Sequence, residues 1–277
     1  MSQAPSNPPG LTDRQALIRN RQRALKAPEL FLHETALDEA QDRLSLVNRT
    51  FTDVAIITPF PQVWAASFPN AKIIPDDEVL ALEEQSHDLV LHALALHWAD
   101  DPVGQLIQCR RALRPDGLFL GLTFGGQTLH ELRASLGQAE VEVTGGMSPR
   151  VAPMGEIRDL GGLLQRAGFN LPVADAIPLN TSYQSPLHLM HELRAMGENN
   201  ALATRLRHPT QRNVLLRAMQ IYHESFGTDD GRIPATFEII TLTAWSPDDS
   251  QPKPLRPGSA TQRLADALGT VEKPLKD

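Results

Sequence analysis

The sequence predicts an α/β fold: a mostly parallel sheet with helices on both faces. Short, continuously apolar runs rich in Val, Ile and Leu alternate with segments of helical period, and the runs have the two-sided burial expected of inner strands. The composition agrees, since 277 residues that are 41% apolar and 21% charged suffice for one large core or two modest ones.

Residues 1–12, with three prolines among the first ten, are expected to be a flexible leader. Residues 13–50 are expected to hold two helices separated at Pro28, with Leu17, Leu25, Phe31, Leu32, Ala36, Ala40, Leu44 and Val47 spaced by threes and fours in places. The first is rich in arginine (Arg14, Arg19, Arg21 and Arg23), which suits a solvated face, an acidic partner or a membrane surface.

Residues 51–245 form the expected α/β domain. Its strands are DVAII (53–57), AKIIP (71–75), DLVLHALAL (88–96, ending at His97 and Trp98), 118–124, a short return near 170–174 and TFEIITLTAW (236–245). Helices are expected at 62–67, after an Asp100 or Asp101 cap with Pro102 in the first turn, at 129–143, at 156–167 with Leu160, Leu163 and Leu164 inward, and at 186–196 and 211–226. The last two make a helical insertion over about 178–228. Pro115-Asp116-Gly117 reads as a turn, and residues 246–277 as a tail with a terminal helix near 262–268.

A net charge of -7 repels phosphate backbones, so nucleic acid is not expected as a partner. No apolar run reaches the length of a spanning helix, and the start lacks a signal peptide's pattern, so a cytoplasmic location is expected. The single Cys109 excludes an internal disulfide and reads as a packing residue. No metal site is expected: His188 and His191 share a helix face near Glu192 without a further ligand, and no H-x-[DE] pair exists. G-x-S-x-G is absent. No feature fixes an oligomeric state.

The ordered series PDDEVLALEEQSHDLVLHALALHWADD, RRALRPDGLFLGLTFGGQTLHELR, GGMSPRVAP, DLGGLLQRAGF, MGENN, DGRIPATFEI and SQPKPLRPGSA covers most of residues 76–260. It resembles the class I S-adenosylmethionine methyltransferase-like proteins related to the mitochondrial assembly factor of respiratory complex I, with biotin-pathway methyltransferases as more distant kin. The resemblance implies a Rossmann-like sheet with S-adenosylmethionine across the carboxyl ends of its strands. It places Asp76 at the adenine amino group, with Asp77 beside it and Phe60, Ala93 and Leu94 also around the cofactor. It sets His97 and Trp98 beside the transfer site. His97 suits a general base, or is a strand-end histidine satisfied by backbone; Trp98 walls a cleft or plugs the core. Gly125 and Gly126 leave room for a ligand or an entering chain.

One region departs from the family. Its first strand runs into an acidic, glycine-rich loop, whereas DVAIITPFPQVWAASFP contains no glycine. The 13 residues from Thr58 to Asn70 suffice for one crossover where the family needs two. A strand and a helix are therefore expected to be missing, and with them the acid that holds the ribose, unless Asp76 or Asp77 has taken over that role.

Three functions fit these observations: a methyltransferase with a truncated cofactor site acting on a protein, a non-catalytic assembly factor binding a protein partner, or another side-chain-modifying enzyme such as an arginine hydroxylase.

Overall fold

A computed structural model describes residues 10–252 and 264–270. Most of the expected leader and the Pro254–Pro257 arm lie outside the described residues, as do the first two residues of the expected terminal helix. The chain divides into two compact units, Met1–Pro247 and Asp248–Asp277. Within the second, α9 spans Leu264–Leu268.

The first unit opens with α1 (Arg14–Ala24) and α2 (Phe31–Leu46), flanking Pro28 as the sequence predicts. Asp13 caps α1 by accepting from the Ala16 amide at 3.0 Å. The leader ends sooner than expected, because Thr12 is buried and donates its hydroxyl to the Trp98 carbonyl at 2.8 Å.

The sheet has six strands: β1 (Val54–Ile57), β2 (Lys72–Ile74), β3 (His87–Ala93), β4 (Leu113–Phe124), β5 (Asn170–Tyr183) and β6 (Ile233–Trp245). Their order is β2-β1-β3-β4-β6-β5. β1 pairs parallel with both β2 and β3, and β3 with β4; β6 runs antiparallel to β4 and β5. β1 meets β2 directly, Ala55 opposite Lys72 and Ile57 opposite Ile74. The intervening residues form only the short helix α3 (Pro61–Trp64), so the strand that length arithmetic removes is absent.

Alternating side chains send β1 and β3 into two cores. Ile56, Leu89 and Leu91 pack with α2 and with α5 (His130–Thr144), α7 (Pro186–Ala195) and α8 (Arg212–Phe226). Ala55, Ile57 and Val90 face α4 (Pro102–Ala112) and α6 (Ile157–Arg166) on the other side. Asp101, not Asp100, caps α4, accepting from the Gly104 amide at 2.8 Å.

Three elements differ from the sequence reading. β3 stops at Ala93, after which Leu94 takes a left-handed φ of 46° and residues Leu96–Trp98 form a 3-10 turn. His97 and Trp98 thus sit on a turn above the strand. The Pro115-Asp116-Gly117 turn lies inside β4 as a bulge between paired Leu113 and Leu118, with Asp116 at φ 59°. β5 extends to Tyr183, well beyond the short return expected near Asn170–Ala174. Among the described residues, no helix is long and apolar enough to cross a membrane.

Candidate functional site

The carboxyl ends of β1, β2, β3 and β4 form the rim at which an open α/β sheet places its ligands. After β1, backbone donors are already spent or missing. The Thr58 amide donates to the Ile74 carbonyl at 3.0 Å, the Phe60 amide to Thr58 Oγ1 at 3.2 Å, and Pro59 and Pro61 have none. Phe60 is fully buried, its ring edge-on to His33 at 4.8 Å. Burial pushes the His33 imidazole down to about 4.

At the end of β2, Asp76 is held from within the chain. Its carboxylate accepts from Arg21 at 2.6 Å and from Arg14 at 3.1 Å, both on α1, and its carbonyl accepts from Arg14 at 2.9 Å. Asp76 is 3% exposed. Asp77 faces solvent, 3.4 Å from Arg14, and gives its carbonyl to Gln105. Ala93 and Leu94 are fully buried, the Leu94 amide bonded to the Leu122 carbonyl at 2.8 Å.

His97 and Trp98 converge on a residue that the sequence reading did not single out, Glu198. Its Oε2 accepts from Trp98 Nε1 at 2.8 Å and lies 3.2 Å from His97 Nε2. α7 delivers it: Gly197 takes a φ of +79°, and the Glu198 amide returns to the Leu193 carbonyl at 2.9 Å, closing the helix with a left-handed cap. Burial opposes the Glu198 charge, but His97, Arg21 and the Trp98 N–H outweigh it and hold the carboxyl below its usual range. The only sequence signal for Glu198 was its place in MGENN; a glycine followed by an acid after an apolar helix is common in solvated caps.

Gly125 and Gly126 admit the protein's own chain. A side chain at either position would strike the carboxylate of Glu238 or Glu156, respectively. Gly125 also bridges to Gly155. His188, away from the rim, meets Ser185 Oγ at 3.0 Å.

A Methyltransferase domain family model matches residues 33–121. That match starts within α2 and ends at Gly121 within β4, so it spans β1, β2, β3 and most of β4. Residues 33–121 are thus similar to a methyltransferase domain. The chain is 42% identical over 201 residues to a Danio rerio protein named arginine-hydroxylase NDUFAF5, mitochondrial, covering 73% of this chain and 62% of that one. Its identity to the Homo sapiens protein of the same name is 40% over 203 residues, covering 73% and 58%. A malonyl-[acyl-carrier protein] O-methyltransferase from Methylovorus sp. (strain MP688) is 37% identical over 175 residues, covering 63% and 56%. The chain thus spans less than two thirds of the length of these relatives. In this chain β1 pairs directly with β2, and residues 53–69 contain no glycine.

Proposed function

We propose that this chain is a methyltransferase-family protein with a truncated cofactor site, filled by its own α1, that works by engaging a protein partner. The observation that carries the reading is the pair of arginines on Asp76. An adenine amino group needs the Asp76 carboxylate as acceptor, yet that carboxylate is 3% exposed and each of its oxygens accepts from a guanidinium of α1, so the helix stands in the way of such a group. The methionine carboxylate needs backbone donors after β1, where Thr58 and Phe60 have spent theirs and two prolines intervene. As placed, these residues do not fit S-adenosylmethionine. The assembly-type relatives support a protein as the partner.

Methyl transfer is the second reading, favoured by one feature: a cavity of about 450 Å3 opens beside Trp98 at the rim. Calorimetric titration of the full chain with S-adenosylmethionine and S-adenosylhomocysteine separates the two. Two lost polar anchors, at about 1–3 kcal/mol each, weaken binding by roughly one and a half to four decades, so millimolar affinity or none is expected. Low-micromolar binding with a matching rise in melting temperature would restore the enzyme reading.

A further inference from the structure

Helix α1 is packed apart from the two cores that flank the sheet. Its buried apolar side chains are Ala16, Leu17 and Ala24, and none of its residues belongs to either core. Ala16 and Leu17 instead share a smaller cluster with Trp98, Ala152, Ala201 and Leu202. The chain leaves α1 through residues 25–29, all exposed and including Pro28. A short helix with so little apolar burial is the kind of unit that opens locally, below the free energy of global unfolding.

Polar contacts complete the fastening, but not all of them are matched. Arg14 and Arg21 hold Asp76, and Asn20 donates to the Asn199 carbonyl at 3.3 Å. Among the described residues, however, Arg21 Nε and Nη2, Glu198 Oε1, His33 Nδ1 and His97 Nδ1 are buried without a hydrogen-bond partner. These groups lie together: Arg21, Glu198 and His97 all act electrostatically on His33, whose ring stands edge-on to Phe60. The stem of Arg21 closes over the group, since a side chain at Gly197 would stand 3.1 Å from its Cγ and 3.4 Å from Phe60. Buried unmatched groups weigh against the docked helix, and water supplies their missing partners once it lifts.

We propose that α1 is an autoinhibitory strap, docked over the rim at neutral pH and lifted as one unit by mild acidification, which uncovers Asp76. The strap turns about residues 25–29. The assignment rests on the reading that α1 fills the truncated cofactor site.

The pH dependence comes from His33 of α2, which lifting exposes to water. Around it stand Arg21 of α1, Glu198 after α7 and His97 on the turn after β3. Burial, aided by Arg21 and His97 and opposed by Glu198, holds its imidazole down to about 4. Its ordinary value is 6.5, so the lifted state takes up a proton that the docked state refuses. The docked state is therefore fully favoured above pH 6.5, and its advantage shrinks as pH falls toward 4. Between pH 7 and pH 5 His33 alone shifts the balance by up to about twentyfold. His92 of β3, bonded to Gln105 and facing Asp76, His97 and Arg21, is also held low by burial and adds in the same direction.

Hydrogen exchange of the full chain, read by mass spectrometry at pH 7 and pH 5 and corrected for the intrinsic pH dependence of exchange, tests the strap. A lifted helix of 11 residues is too short to keep its own hydrogen bonds, so its amides report the opening. The amides of α1 should exchange together, with at least tenfold less protection than those of β3. Their protection should fall about tenfold or more from pH 7 to pH 5, and His33→Asn should remove most of that fall. If this variant fails to fold, Asp76→Asn should lower the protection of α1 tenfold or more at both pH values while the sheet stays protected. Exchange of α1 only in step with β3, protection of α1 equal at the two pH values, a fall that His33→Asn leaves undiminished, or no effect of Asp76→Asn overturns the strap. Calorimetry with S-adenosylmethionine at pH 7 separates this result from the reading beneath it. Tight binding alongside separate, pH-dependent opening of α1 would overturn the filled site and keep a pH-released strap; weak binding with α1 exchanging only alongside β3 would do the reverse.

Discussion

Arg21 and Asp76 meet at 2.6 Å with both side chains more than nine-tenths buried, so helix α1 is fastened to the end of β2 by a charge pair hidden from water. Arg14 supports the pair from the solvent side, 21% exposed. Removing one member of a buried pair strands the other. Asp76→Ala should therefore cost about 3–5 kcal/mol, whereas Arg14→Ala, losing a partly screened contact, should cost about 1 kcal/mol or less. Urea unfolding of the two variants checks the order. A loss below about 1 kcal/mol for Asp76→Ala would show that the pair is not a fastening.

Gly197 lies under the same helix. A side chain there would stand 3.1 Å from Arg21 Cγ, 3.2 Å from Arg21 Cα and 3.4 Å from Phe60, on a backbone with φ +79°. Gly231 has a similar φ of +76° and open space. Both substitutions to Ala carry the left-handed cost of about 1–2 kcal/mol, but only Gly197→Ala adds crowding against a backbone atom. Gly197→Ala should be the more destabilising of the two by chemical denaturation; equal losses would mean that α1 yields freely.

His33 makes folding pH-dependent. Its folded value is about 4 and its ordinary value 6.5, because burial excludes the charged ring. The unfolded chain binds a proton that the native state refuses, so stability is fully present above pH 6.5, falls as pH drops toward 4 and levels below it. The full effect is about 3 kcal/mol, at about 1.4 kcal/mol per unit. Denaturant unfolding between pH 7 and 5 should show a shallower pH slope in His33→Asn than in the natural chain. A remaining slope is expected from His92 and His87, whose values burial also lowers. Identical slopes would remove His33 from the account.

The inner strands were legible because burial on both faces demands unbroken apolar runs, as in Leu89, Val90 and Leu91. β5 was legible only in part. Pro172 and Pro178 argue against an inner strand, but β5 is the edge of the sheet and bonds only β6, so the prolines are tolerated there. The turn after β3 was not legible, because a leucine at φ 46° defies its local preference and is held by the surrounding core. Glu198 was missed for a related reason: a carboxylate after a helix reads as solvated, and its burial depends on Trp98, a hundred residues earlier.

By itself, the sequence determined that β1 and β2 are neighbours, since 13 residues between strands leave room for one short helix and no second crossover. It also determined that the loop after β1 loses two amide donors, at Pro59 and Pro61, and has no glycine to let a ligand approach its backbone closely. Only the tertiary structure decided which charges meet. Arg14 and Arg21 lie 62 and 55 residues from Asp76; the helical period sets both on the face of Leu17 and Ala24, apart from the solvated Arg19 and Arg23, but nothing local pairs them with that carboxylate. Packing turns two of the four arginines inward, and an ion pair acquires its partner, and its strength, from what packing hides from water.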